Sequence, residues 1–351
     1  MLDENETKWL FVILLTTEIL VGAINGFTAA AGSGAAAAAL ICTAAAAAFF
    51  AVTESIRRCD DVPFFDMMKS CYGKTASAAI GSVLTVISLF GCARSVRIFT
   101  GAVADVVLTQ SPALYIAAFF AAAMLAVSVF GLQTLSCYAI AAGKILAVFV
   151  LVIVIFNIKN LRLSNALPIF GNGADGMASS VGMVYIFSDI LYLCVISDRF
   201  QSRGAVMRVG SRSLIISGLF AVCAVFVYCC SVAYPASTHF RYPIFRLAAL
   251  ANTSVLLQRL DGAVYILWLI AGFISCGARA LFTSVLFEKS FDCGDSRGIA
   301  PAVILAAIML SGIVPKDGVR AAFACTAVVI YSVTIITYRL WRISNREQKT
   351  D

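Results

Sequence analysis

Within the first long apolar run of the chain stands the stretch Gly22-Ala23-Ile24-Asn25-Gly26, which is flanked by apolar residues on both sides. Glycine and asparagine are weak helix formers, so the stretch predicts an interruption in a helix that is otherwise apolar enough to cross a membrane. Another apolar run contains Phe187-Ser188-Asp189 near its middle. Two interrupted helices at matching positions of two half-chains indicate an inverted repeat, whose ligand site lies at the interruptions.

The same residues allow other interpretations. Gly22 and Gly26 are separated by one helical turn, so they could instead form a small-residue face for close packing against a neighbouring helix. Glu18 and Asp189 lie well inside their apolar runs. A carboxylate at such depth needs an arginine partner, an aqueous cavity or a bound proton, and the sequence leaves these three open.

The two interruptions define the predicted ligand site. Backbone amides and carbonyls exposed at a broken helix could bind a carboxylate, an amine or an ion. We expect the first interruption to supply backbone contacts and the second to supply the opposing wall, with Glu18 as a coupling or cavity residue. The predicted ligand-binding residues are Gly22, Ala23, Asn25, Gly26, Phe187, Ser188 and Asp189.

The composition is that of an integral membrane protein. Of the 351 residues, 61% are hydrophobic and 13% are charged, and the mean hydropathy is +0.94. A soluble domain of this length could not bury so much apolar surface. At about 20 residues per helix, the chain has room for about ten transmembrane helices. The basic residues collect between the apolar runs, which favours contact with anionic lipid and argues against nucleic-acid binding.

The apolar runs predict a single polytopic membrane domain, residues 1–351, built only of α-helices. The first repeat would span about 9–156 and the second about 178–341. Lysine and arginine are more frequent in the loops that lie on the same side as both termini, which predicts cytoplasmic termini. The predicted spans are 9–29, 34–53, 76–99, 113–130, 139–156, 178–197, 212–233, 258–285, 299–314 and 320–340.

The chain is not expected to be an enzyme. It has neither a Ser-His-Asp set nor the spacing of metal ligands, and His239 is its only histidine. The segment Gly171-Asn172-Gly173-Ala174-Asp175-Gly176 matches a dinucleotide-binding pattern, but no strand precedes it and a proline does, so the match is weak. We therefore predict no catalytic residue, no cofactor and no metal site.

A longer pattern carries a family resemblance. Tyr242-Pro243 is followed by Gln258-Arg259-Leu260-Asp261 and then by Trp268, and Thr109-Gln110-Ser111-Pro112 precedes the fourth predicted span. This pattern resembles the B subunit of spore nutrient-germinant receptors, the endospore germination permeases of the amino acid–polyamine–organocation superfamily. Asp261 stands where that family usually has a glutamate.

The resemblance implies an amino-acid-transporter-like fold with a five-plus-five inverted repeat. It further implies a membrane subunit that binds a small nutrient, expected to be an amino acid, with a sugar or a nucleoside as alternatives, and that signals germination. The implied partners are the A subunit and the lipid-anchored C subunit of the receptor. The implied location is the inner membrane of a bacterial endospore.

Other functions remain open on the same residues. A proton-coupled amino-acid permease could use Glu18 or Asp189 for coupling, because one transporter fold serves several roles. A gated ion or water pathway could be lined by Glu18, Asn25, Ser188 and Asp189, and a purely structural subunit is a further alternative. Arg259 and Asp261 lie at the start of the eighth predicted span, where we expect them to form a structural latch.

Overall fold

The computed structural model of the chain describes residues 2–58, 62–200, 202, 204–251, 260–315 and 318–347. These residues form helices joined by turns, and no β-strand occurs among them. Within the same residues, seven helical stretches are long and apolar enough to cross a membrane. The prediction of an all-α integral membrane protein is therefore confirmed, whereas the number of spans and the inverted repeat stay predictions.

The α-helices of the described residues follow one another along the whole chain. Three of them, α4, α5 and α10, are longer than a bilayer requires. In chain order they are α1 (Glu4–Glu18), α2 (Ile24–Ala31), α3 (Ala35–Arg58), α4 (Phe64–Val106), α5 (Ala113–Asn157), α6 (Gly173–Val181), α7 (Tyr192–Val195), α8 (Ala205–Ser231), α9 (Pro243–Ala251), α10 (Leu260–Phe291), α11 (Ser296–Ser311) and α12 (Val319–Glu347).

Helix α5 contains a sharp break at Gly131. The backbone of Gly131 has φ 76° and ψ 177°, a conformation that glycine adopts at little cost and that other residues avoid. The break lies between the predicted spans 113–130 and 139–156, both of which belong to α5. Gly73 has a similar conformation in α4 and separates the first turns of that helix from the predicted span 76–99.

Two segments depart from α-helical geometry at the places where the sequence predicts interruptions. A π-helical segment, Ile19–Ala23, joins α1 to α2, and a 3₁₀ segment, Gly182–Leu191, joins α6 to α7. The two segments contact each other. A π segment inside an α-helix is uncommon and is frequently found at a functional site.

The centre of the bundle is formed by α1 and α10. Helix α1 packs against α5, α8 and α10, and α10 also packs against α4, α5 and α11. Residues Leu10 to Glu18 are all buried, as are residues Ser275 and Cys276 together with most of the next two turns of α10. A helix that is buried on all sides lies inside a bundle, so polar side chains on α1 and α10 must find partners there.

Candidate functional site

A network of ion pairs lies at the point where α1 ends and the π segment begins. The Arg279 guanidinium of α10 donates through Nη2 to Asp189 Oδ2 at 2.6 Å and to Glu18 Oε2 at 3.3 Å. Arg94 of α4 donates through Nη1 to the other oxygen of Glu18, at 2.5 Å. Glu18 therefore bridges two arginines, and Arg279 bridges two carboxylates.

Burial makes this network energetically demanding. Arg279 is 2% exposed, Asp189 is 3% exposed and Glu18 is 7% exposed. Removing a charged group from water costs several kcal/mol. A partner of opposite charge offsets that cost only when the two groups lie in good hydrogen-bonding geometry. With Arg94, the network holds two positive and two negative groups. Each buried charge consequently has a partner of opposite sign.

Hydroxyl groups complete the network on the side of α10. Arg279 donates through Nη1 to Ser275 Oγ at 2.7 Å, one turn earlier on the same helix. Thr17 of α1 donates its hydroxyl to the same Ser275 oxygen at 3.0 Å. The guanidinium is thus fixed in orientation by a hydroxyl as well as by the carboxylates, and α1 is joined to α10 across the core.

A cavity of about 400 Å³ opens beside Glu18 and Arg94. This volume lies within the range that small-molecule sites usually have, roughly 300–1,000 Å³. One carboxylate, that of Glu18, and two guanidinium groups, those of Arg94 and Arg241, belong to its lining together with apolar and backbone groups. The lining residues are Glu18, Gly22, Ala23, Asn25, Gly26, Ala29, Arg94, Ile98, Gly101, Met183, Tyr185, Ile186, Arg241 and Tyr242.

The π segment exposes backbone to the cavity at Gly22. Gly22 is exposed although it lies in the middle of the first apolar run, and a Cβ built there would find no heavy atom within 4 Å. Gly26 is closer to the opposing wall, because a Cβ at this position would overlap the end of the Met183 side chain. The first interruption therefore gives the cavity exposed backbone at Gly22 and a constriction between Gly26 and Met183.

Asn25 ties the cavity to the segment before α9. Its Nδ2 donates to the carbonyl oxygens of Phe240 at 2.7 Å and of Arg241 at 3.0 Å. The Arg241 guanidinium in turn pairs with Asp105 at 2.5 Å, and the Tyr242 hydroxyl donates to the same carboxylate at 2.9 Å. These contacts join the start of α2, the end of α4 and the residues before α9 into one rim of the cavity.

Tyr242, the first residue of the family pattern, lies on this rim. Tyr242 lines the cavity, and its ring centroid lies 5.9 Å from that of Phe245. The Phe245 ring packs edge-on against Trp268, with centroids 5.2 Å apart, and Trp268 also contacts Phe99 at 4.8 Å. Arg259 and the side chain of Asp261 lie outside the described residues, so the latch stays a prediction.

The predicted site residues divide into two groups. Glu18, Gly22, Ala23, Asn25 and Gly26 all line the cavity. The residues predicted for the opposing wall, by contrast, are buried behind it: Phe187, Ser188 and Asp189 do not line it.

The 3₁₀ geometry accounts for the position of Asp189. In a 3₁₀ helix the side chains at i and i+3 eclipse each other. Met183, Ile186 and Asp189 consequently form one row, in which the first two residues face the cavity and Asp189 lies one turn deeper. Arg279, which contacts both Asp189 and Glu18, links Asp189 to the cavity.

The sequence indicated the charged residues of the site only in part. Arg94 and Arg279 are intramembrane arginines, but their pairing with Glu18 and Asp189 joins residues that are 76 to 261 positions apart. The signal that could have found them is charge balance, because buried carboxylates in apolar helices require cations of equal number. The apolar wall residues Tyr185 and Ile186 gave no comparable signal.

The opposite end of α1 is closed by polar contacts. The Leu2 amide donates to the carbonyl of Arg199 at 3.0 Å, and Arg208 pairs with Glu4 at 2.5 Å. The hydrogen bond from Arg208 lowers the pKa of the Glu4 carboxyl. At the end of α10, Lys289 pairs with Asp198. These contacts tie the start of α1 to Arg199 and to α8.

Comparisons with known proteins agree with this architecture. A family model described as spore germination protein matches residues 6–317. Among solved structures, the fold is similar to that of Mhp1, a nucleobase-cation-symport-1 family transporter, in a closed conformation with bromovinylhydantoin bound. The TM-score is 0.60 and the identity is 13%, over 92% of this chain and 74% of that chain, so the likeness concerns the fold alone. A sequence comparison with curated proteins finds no match.

Proposed function

This chain belongs to the family of spore germination proteins, and we propose that it is the membrane subunit of a spore nutrient-germinant receptor that binds a small nutrient in the cavity beside Glu18 and Arg94. The family and the fold are those of membrane transport and receptor proteins. The observation that carries the proposal is the cavity itself. It lies at the meeting point of the two interrupted helices and presents the Glu18 carboxylate, the Arg94 and Arg241 guanidinium groups and open backbone.

An amino acid is the ligand whose chemistry suits this cavity. Its ammonium group would pair with Glu18 or with backbone carbonyls of the π segment, and its carboxylate would pair with Arg94. The apolar wall of Ile98, Tyr185 and Ile186 would accept an aliphatic side chain. Because Glu18 and Arg94 already satisfy each other at 2.5 Å, a zwitterionic ligand would replace one internal pair by two external ones.

Signalling follows from which elements the ligand would touch. The cavity is lined by the π segment, α4, the 3₁₀ segment and the residues before α9, so one ligand would contact all of them. A ligand shifts a conformational equilibrium only when it binds one state better than another. We propose that the preferred state is transmitted to the A and C subunits of the receptor, in the inner membrane of the endospore, with both termini of this chain cytoplasmic.

A cavity-filling substitution tests the proposal. Gly22→Leu would place a branched side chain into the cavity, whereas Gly22→Ala adds one methyl group where nothing lies within 4 Å. The matched control is Gly91→Leu, since Gly91 is also a helical glycine with nothing within 4 Å and does not line the cavity. Spores that carry equal amounts of each protein would be assayed for germination across a nutrient concentration series.

We expect Gly22→Leu to abolish the nutrient response or shift it to much higher concentration, with Gly22→Ala and Gly91→Leu close to wild type. A dose–response of Gly22→Leu that matches wild type, at equal protein level, would contradict the proposed site. Binding of labelled amino acids to the purified proteins would show whether the loss lies in binding or in signalling.

A proton-coupled permease is the second candidate, and the position of Glu18 supports it. Glu18 is the carboxylate that faces the cavity and contacts both arginines, so it could couple a ligand to a charge-dependent rearrangement. Uptake of a labelled amino acid into vesicles containing only this chain, with and without a pH gradient, separates the candidates. Concentrative uptake would favour the permease, and ion or water flux without uptake would favour a gated pathway.

A further inference from the structure

A second cavity lies away from the Glu18 site, between the two limbs of α5 and helix α10. This groove has a volume of about 420 Å³ and lies along apolar, membrane-spanning parts of both helices. Its floor is buried and includes Leu135 and Ile274, whereas Phe130, Tyr138 and Ile270 on its rim are exposed. The groove therefore opens sideways, toward the hydrocarbon that surrounds a membrane protein.

A cation lies beside one end of this groove. Phe130 is followed by Gly131, where α5 breaks, and a Cβ built at Gly131 would come within 2.6 Å of Arg297 Nε. The Arg297 guanidinium takes part in no ion pair within the described part of the chain, and Asp295 accepts a hydrogen bond from the backbone N–H of Arg297. Arg297 lies on the same side as Leu2, the predicted cytoplasmic side.

We propose that this groove binds one phospholipid with an anionic headgroup, its acyl chain along α10 and its phosphate at Arg297. An empty groove would leave its lining atoms without van der Waals partners, so an apolar occupant is favoured. A guanidinium group can donate two parallel hydrogen bonds to one phosphate. The exposed Tyr138 ring is of the aromatic type that is enriched at the level of lipid headgroups. The inference is independent of the germinant site.

The shape of the groove favours a lipid over a helix of a partner protein. An α-helix with its side chains is about 10 Å across and rises about 5.4 Å per turn, so a volume of about 420 Å³ corresponds to only about one helical turn. A partner helix would also bring no phosphate for Arg297, whereas an anionic lipid supplies the opposite charge at that end.

Lipid retention by the purified full-length protein tests the proposal. The protein would be reconstituted in bilayers of equal parts phosphatidylglycerol and phosphatidylcholine with the same acyl chains, and retained lipid would be measured by native mass spectrometry. Arg297→Gln removes the charge beside the groove, and Ala142→Phe fills the groove itself. The matched controls are Lys74→Gln, an exposed cation outside the groove, and Val148→Phe, an exposed residue of α5 that does not line it.

We expect wild type to retain phosphatidylglycerol preferentially and Arg297→Gln to lower that preference about fivefold, which is the effect of one basic residue near an anionic lipid surface. Ala142→Phe should lose retention of both lipids, and the two controls should match wild type. If Ala142→Phe does not fold, Ala141→Phe fills the groove from its exposed rim. Retention that is unchanged in Arg297→Gln and in the groove-filling variant would overturn the proposal. So would a partner protein that is bound by wild type and released by the groove-filling variant.

Discussion

Arg279 and Asp189 lie 2.6 Å apart, guanidinium nitrogen to carboxylate oxygen, on helices that meet at the centre of the bundle. Both side chains are buried, and the same guanidinium also reaches Glu18 at 3.3 Å. Arg279 is therefore the residue through which the carboxylate of the second interrupted helix contacts the carboxylate of the first. A ligand that displaces the Glu18 side chain would therefore break its contact with Arg279.

Replacing Arg279 by leucine should destabilise the protein strongly. Asp189 and Glu18 would remain buried with one cation fewer, and breaking a buried ion pair costs roughly 3–5 kcal/mol. Thermal unfolding in detergent and the yield of folded protein measure this effect. Lys144→Leu is the control, since Lys144 is exposed on α5. Equal unfolding temperatures for Arg279→Leu and wild type would show that the pairs contribute little.

Removing one charge of each sign should cost less than removing the arginine alone. In the double variant Asp189→Asn with Arg279→Gln, Glu18 keeps its partner Arg94 at 2.5 Å. We expect the double variant to be more stable than the sum of its single variants predicts, with a coupling energy of about 0.5–3 kcal/mol. A complete double-mutant cycle of unfolding free energies measures it. Additive single effects would mean that Asp189 and Arg279 are not coupled.

Tyr192 connects the short helix α7 to this core. Its hydroxyl lies 2.8 Å from Ser88 Oγ, which lies 2.6 Å from Thr283 Oγ1, and its ring stacks on Phe282 with centroids 4.9 Å apart. Tyr192→Phe keeps the stack and loses one hydrogen bond, so we expect a loss of about 0.5–1.5 kcal/mol.

Tyr192→Ala removes the ring as well and should cost about 3–5 kcal/mol. Denaturant unfolding of both variants under the same conditions separates the two contributions. If Tyr192→Phe were as unstable as Tyr192→Ala, the hydrogen bond and not the ring would dominate.

The loop after α10 carries an acid-sensitive contact. Lys69 donates to Asp292 at 2.7 Å and this hydrogen bond, together with the charges of Lys69 and Lys74, lowers the pKa of the Asp292 carboxyl. A carboxyl whose pKa is lower in the folded state stabilises the fold above its unfolded pKa of about 3.9 and loses that contribution as the pH falls through the folded value.

We therefore expect Asp292→Asn to be slightly less stable than wild type at pH 7, since the side chain is exposed, and the difference to vanish well below pH 4. Unfolding temperatures of both proteins along a pH series measure this. A difference that grows on acidification would have the wrong sign for the Lys69–Asp292 contact.

The sequence predicted the helical membrane fold and one wall of the site, because both depend on local composition. Gly22 lies in the π segment, Gly26 lies in the first turn of α2, and both line the cavity together with Glu18. The opposing wall depends instead on which side of a helix faces inward. Phe187 and Ser188 are buried although Met183, Tyr185 and Ile186 of the same 3₁₀ segment line the cavity, and neither charge nor hydropathy along the chain reports which of these residues face it.

The burial of a basic side chain was another feature that the apolar runs did not predict. Arg57 lies between the predicted spans 34–53 and 76–99, but α3 continues to Arg58, and Arg57 is buried with two hydrogen bonds to Glu54 at 2.8 and 2.5 Å. A basic residue near the end of an apolar run looks the same in sequence whether it points to water or to a carboxylate. Whether the side chain is buried depends on its partner, which for Arg57 is Glu54, one turn earlier on the same helix.

The balance of charge in the central network bears on how the protein responds to membrane voltage. Moving one elementary charge across a potential of 100 mV changes the energy by about 2.3 kcal/mol. Glu18 and Asp189 offset Arg94 and Arg279, so a rearrangement that carries the four groups together displaces no net charge through the field. The equilibrium between conformations would then be set by the occupant of the cavity and would be nearly independent of whether the membrane is energised.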